Sequence, residues 1–196
     1  IILIRSATAL IFTLILFLPL EGGLKSLKTK RPVAHLFRGI LLVFANLFFF
    51  LGIVSLPIAE CTAIFFIAPL LITLFSSLIL KEKIRARRLS ALFIGFFGVL
   101  IIIKPGQISF QWITLLPLSA AICYAGLHTM TRQMGLSEKA STLSFYIQLS
   151  FIIVSLLMGL TLGGGQFSGY ENPSMEFLVK AWSWPLKSHW LAILGI

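Results

Sequence analysis

Two apolar runs, Phe37 to Leu56 and Glu60 to Leu80, are joined by a turn of only a few residues, Leu56-Pro57-Ile58-Ala59. Each run has about the twenty residues that an α-helix needs to cross the hydrocarbon core of a bilayer. A connection that short makes the pair an antiparallel hairpin, and Pro57 suits its start because a first helical turn leaves its N–H groups without partners anyway. Similar runs recur at Ile1 to Leu20, Leu89 to Ile103, Trp112 to Met130 and Thr142 to Leu162, with another beginning at Trp190. The fourth run is short, but Arg88 and Lys104 at its ends can reach the interface. A water-soluble domain carries roughly a quarter charged residues. This chain has 11% charged and 58% hydrophobic residues, with a mean hydropathy of +1.02. The expected fold is all-α: a polytopic transmembrane helix bundle with about six complete spans.

The net charge of +10 would suit a nucleic-acid binder, but the positions of the charges exclude that. Twelve of the sixteen Lys and Arg fall at alternate breaks: Lys25, Lys28, Lys30, Arg31 and Arg38; Lys81, Lys83, Arg85, Arg87 and Arg88; and Arg132 with Lys139. The other breaks carry Lys104, Lys180 and Lys187, while Arg5 lies inside a run. Such alternation is the positive-inside pattern. It assigns the protein to the cell (plasma or inner) membrane, with basic loops 21–37, 81–88 and 131–141 in the cytoplasm. Contact of those loops with anionic headgroups is compatible with the same charges. Cys61 and Cys123 have neither disulfide nor zinc spacing. Because the chain starts within one apolar run and stops at the beginning of another, it is expected to be part of a longer protein.

Placing Ile4 to Gly23 over Phe145 to Gly164 keeps a Gly pair and the span length in register. The charge pattern runs these two spans in opposite directions, and opposite-topology repeats are a common plan for secondary transporters. The stretch Leu56-Pro57-Ile58-Ala59-Glu60-Cys61-Thr62-Ala63-Ile64-Phe65-Phe66-Ile67-Ala68-Pro69, followed by Leu80-Lys81-Glu82-Lys83, resembles the third and fourth helices of an EamA-type domain of the drug/metabolite transporter superfamily. Gly95-Phe96-Phe97-Gly98-Val99-Leu100 with Lys104-Pro105-Gly106 resembles its fifth helix. Leu118-Ser119-Ala120-Ala121 through Tyr124-Ala125 to Arg132 resembles the opening of a second such domain. The resemblance implies ten helices in two inverted five-helix repeats that move small organic metabolites by alternating access. Residues 1–106 would then be a first repeat lacking its first helix, and 107–196 the start of a second, truncated repeat. Import and export both occur in that family.

Polar groups at membrane depth are costly and therefore mark function by default. Asn46 near the middle of its span either glues helices or touches substrate. Pro69 cannot donate to the carbonyl of Phe65, which is left for a water or ligand, and it is a candidate hinge or cavity residue. Thr62 and Thr73 are expected to bond back to their own helix. Glu60 sits where a helix dipole favours a carboxylate, or it couples transport to a proton or cation at the outer mouth. Arg5 either snorkels or pairs with Glu60 or an anionic substrate. Tyr124 and His128, one turn apart, and Tyr146 and Gln148 complete the candidate substrate-binding set. No GxSxG, HExxH or CxxC pattern is present, so neither an enzyme nor a metal site or cofactor is expected. The expected partners are a small-molecule substrate (an amino acid or nucleoside-like compound), the lipid bilayer and a coupling ion or proton, with no nucleic acid. The protein would act as a monomer or homodimer. The competing reading is a membrane scaffold or assembly partner that transports nothing.

Overall fold

The computed structural model describes residues 2–21, 23, 27–82, 86–103, 112–162 and 173–179. Lys104-Pro105-Gly106 and the run starting at Trp190 lie outside them. Every regular element among the described residues is helical, as backbone in hydrocarbon must satisfy its own hydrogen bonds. The helices are α1 (Ile2–Phe12), α2 (Pro32–Ser55), α3 (Ile58–Leu80), α4 (Ala86–Ile103), α5 (Leu115–Met134), α6 (Ala140–Leu162) and α7 (Pro173–Val179). Among the described residues, Pro32–Ser55, Ile58–Leu80, Trp112–Met134 and Ala140–Leu162 are long and apolar enough to cross a membrane. Leu3–Phe17 and Leu89–Gly98 are shorter apolar helices. The protein is an all-α polytopic bundle.

Helix boundaries drawn from charge fall inside the observed helices. The second span starts at Pro32 rather than Phe37, the fifth continues to Met134 rather than Met130, and the sixth begins at Ala140 rather than Thr142. Polar and basic side chains at a span end stay helical because their stems cover apolar surface while the heads reach polar surroundings. Arg38, counted with a loop on sequence grounds, instead lies buried within α2, 1% exposed, with its guanidinium donating to Thr131.

The chain forms two compact units. One comprises Ile1–His35 with Glu138–Ile196, the other Leu36–Ser137. In the first unit, α1 packs along α6. Arg5 meets Phe151 while Glu21 meets Ser141, so rising numbers on one side pair with falling numbers on the other and the two run antiparallel. Past α1 the helix widens into a π turn over Thr13–Phe17 before Leu18–Leu20. Pro19 has no N–H for a carbonyl one turn back, and a wider turn is one way a helix absorbs that loss.

In the second unit, both halves of α3 pack on α5, and both touch α4. The α2–α3 hairpin closes tightly. A Cβ added at Gly52 would lie 3.0 Å from the Cys61 sulfur and 3.2 Å from Pro117 Cδ. Glycine is what lets the three helices meet there. Cys61, Ala120, Ala121 and Ala125 are fully buried, so small side chains carry the close packing expected between membrane helices. The C-terminal end of α3 stops on Lys81, which adopts the left-handed conformation (φ 55°) and returns its N–H to the Ser76 carbonyl.

Candidate functional site

Pro69 shapes the second unit. Lacking an N–H, it leaves the ladder of α3 broken, and the helix divides into Ile58–Phe65 and Ala68–Leu80. At the break the bonds tighten: Phe66 N–H donates to the carbonyls of Thr62 (3.0 Å) and Ala63 (3.2 Å), and Ile67 N–H to Ile64 (3.2 Å). Pro69 itself is exposed. With Phe66, Leu70, Ala91, Leu92, Gly95 and Phe96 it lines an apolar cleft of about 200 Å³ between α3 and α4.

Phe65, the last residue before the break, is the centre of a line of rings that crosses three helices. Its centroid lies 4.9 Å from Phe49 on α2 and 5.3 Å, edge to face, from Tyr124 on α5. Tyr124 in turn lies 4.3 Å from His128, one turn further along α5. Tyr124 is half-buried and His128 is exposed, although the helix that carries them is a membrane-length apolar one. Ionisable side chains in such helices almost always face a bundle interior or a watery cavity rather than lipid.

The other candidates separate from this line to different degrees. Asn46, half-buried one turn before Phe49, donates to the Leu42 carbonyl of its own helix at 3.0 Å. Thr62 and Thr73 bond back as their sequence context suggests, to Ile58 (2.8 Å) and Pro69 (2.9 Å). Glu60 lies half-buried in the first turn of α3 but makes no side-chain cap bond. The cap residue is Pro57, whose carbonyl accepts from Cys61 N–H at 3.0 Å. Its favourable setting is the helix dipole alone. Arg5, exposed on α1, places its guanidinium 5.6 Å from the centroid of the Phe151 ring, a cation–π contact. Tyr146 donates to the Leu27 carbonyl at 3.1 Å and stacks on His35 at 4.3 Å. Gln148 is half-buried on α6.

A second polar feature was not singled out from sequence: a clasp of the 21–35 segment onto the start of α6. Glu21 accepts from the hydroxyl (2.5 Å) and backbone N–H (3.2 Å) of Ser141, while Lys139 donates to the Glu21 carbonyl. Glu138 accepts from Thr29 at 2.7 Å and lies 4.0 Å from Nε2 of the buried His35. The hydrogen bonds from the Ser141 hydroxyl and then its N–H, with help from Lys139, hold the Glu21 carboxyl below its ordinary range. A lowered folded-state pKa means this tie is whole at neutral pH and is lost as pH falls through that lowered value. In the second unit, Arg38 donates to Thr131 at 3.2 Å, and Arg132 pairs with Glu82 at 2.8 Å. The available signal was the His35-x-x-Arg38 spacing, which puts both side chains on one face of a helix.

Apolar, membrane-length helices held by small-residue packing and a few internal polar ties define a polytopic α-helical membrane protein. Residues 1–104 match the EamA-like transporter family, and the chain belongs to that family. It is 30% identical to a riboflavin transporter of Brucella anthropi over 85% of this chain and 59% of that protein. It is 31% identical to an S-adenosylmethionine uptake transporter of Rickettsia prowazekii over 74% of this chain and 50% of that protein. A pseudopaline exporter of Pseudomonas aeruginosa is 26% identical over 85% of this chain and 57% of its own length. The chain thus spans about half the length of the curated relatives it matches. No solved structure matches it.

The two ties to α5 differ in burial, which makes their strengths separable. Thr131→Val removes one hydrogen-bond acceptor of the buried Arg38 guanidinium and is expected to cost about 1.5–3 kcal/mol in denaturant unfolding of the full-length protein in detergent. Glu82→Ala opens a half-exposed pair and is expected to cost under about 1 kcal/mol. Equal losses at the two positions would contradict the buried tie.

Proposed function

We propose that the protein is a secondary transporter that moves a small organic metabolite, an amino acid or nucleoside-like compound, across the cell membrane by alternating access. The observation that carries this reading is the exposed His128 beside Tyr124, in a membrane-length helix and one ring contact from the broken helix of Pro69. A broken helix frees backbone groups for a ligand, and an exposed imidazole at depth needs a polar space to face. Family membership and the names of the relatives, two for uptake or transport and one for export, support transport of small molecules and leave its direction open.

Antiparallel packing of α1 on α6 fits the inverted repeat read from residues 4–23 and 145–164. On that basis residues 1–106 belong to one repeat and 107–196 to the next, ten helices making the whole. Asn46, Pro69, Tyr124 and His128 form the substrate-facing set. Arg5, Glu60, Tyr146 and Gln148 are the remaining candidates, with Glu60 the one for a coupling proton or cation. The basic segments 21–37, 81–88 and 131–141 face the cytoplasm, as their charge bias supports.

Proteoliposomes holding the full-length protein are expected to show saturable counterflow of at least one compound from a panel of amino acids, nucleosides and flavins. Tyr124→Ala and His128→Ala should each slow it roughly tenfold or more. Counterflow of none of the panel would favour the scaffold reading. For orientation, a thiol reagent that cannot cross membranes should label Ser168→Cys but not Ala86→Cys in intact cells, in a background lacking Cys61 and Cys123. The reverse pattern would invert the topology.

A further inference from the structure

We infer that Tyr124, His128 and the break after Phe65 form a subsite for a planar nitrogen-heteroaromatic ring, of the purine, pteridine or flavin kind. This rests on the transport reading above and narrows its substrate class. Tyr124 and His128 are spaced i, i+4, so their rings share one face of α5, and they lie 4.3 Å apart. The outer of the two, His128, is exposed, and a flat exposed ring in a low-polarity setting is the kind of surface on which another flat ring stacks.

Phe65 closes the other side of Tyr124, edge to face at 5.3 Å, and is itself backed by Phe49 at 4.9 Å. The Tyr124 ring is therefore held between Phe65 and His128 and backs the exposed His128 ring, which is the open stacking surface. A wall held still lowers the entropy cost of stacking on it. The polar inventory matches the same ligand class. Tyr O–H and His N–H can donate to ring nitrogens or carbonyls, whereas the Phe65 carbonyl, which Pro69 cannot serve, accepts from a ring N–H or amino group. An aliphatic amino acid offers this wall no flat surface, and its two charges would meet no opposite charge among these residues.

Purified full-length protein in detergent provides the test, with lumichrome followed by quenching of its fluorescence, and adenosine and L-methionine followed by equilibrium dialysis. Lumichrome or adenosine should bind and L-methionine should not. Tyr124→Leu should weaken ring binding about tenfold or more, and Tyr124→Phe, which keeps the ring but loses the O–H donor, should weaken it less. His128→Leu should weaken it as well. L-methionine binding as tightly as the rings, or ring binding indifferent to Tyr124→Leu in a variant that elutes as a single folded species, would overturn the subsite. Counterflow of a ringless metabolite without any ring binding would overturn the subsite and leave the transport reading standing; loss of both would overturn both.

Discussion

Pro69 withholds one hydrogen-bond donor from the middle of a membrane-length helix, and the geometry of the second unit depends on that single omission. In hydrocarbon no water can repair the ladder, so the chain repairs it locally with the tightened bonds of Phe66 and Ile67. Phe65 ends one segment and Ala68 starts the next, which brings the Phe65 ring against both Phe49 and Tyr124. Without the break, α3 would remain a continuous rod with all its carbonyls occupied. With it, the Phe65 carbonyl has no donor from Pro69, and the Phe65 ring sits between Phe49 and Tyr124.

Packing and electrostatics divide the remaining work. Small residues bring helices together: Gly52 against Cys61 and Pro117 beside the α2–α3 turn, and Gly126 against Leu41 between the middles of α5 and α2. Polar ties then fix segment ends, with Glu21 on Ser141 in one unit and Arg38 on Thr131 in the other. These ties use the same region of sequence that carries the basic bias. Arg38, Arg132 and Lys139 belong both to the basic bias and to the ties that fasten these segments.

Spans and the family were legible in the sequence because both rest on long, repeated signals. An apolar run of twenty residues tolerates errors of a turn at each end, and the Leu56 to Pro69 stretch is long enough to carry a resemblance. Helix ends were not legible, since His35 and Arg38 look like loop residues until a helix is seen to carry them inward. The partners of individual side chains were harder still. Asn46 turned back on Leu42, and Arg5 settled over Phe151, choices made between nearby atoms that no one-dimensional pattern records. Tyr124 and His128 were named correctly as neighbours because i, i+4 spacing is geometric. Their meeting with Phe65 depended on the tertiary packing of α3 on α5.

Transport of the kind proposed requires the face of α5 carrying His128 to meet water rather than lipid. In proteoliposomes of the full-length protein lacking Cys61 and Cys123, a charged, water-borne thiol reagent should modify His128→Cys. It should leave Ile94→Cys, at a strongly exposed apolar position of α4, unmodified. A cysteine at position 128 as inert as the one at 94 would place that face in the hydrocarbon and contradict the account.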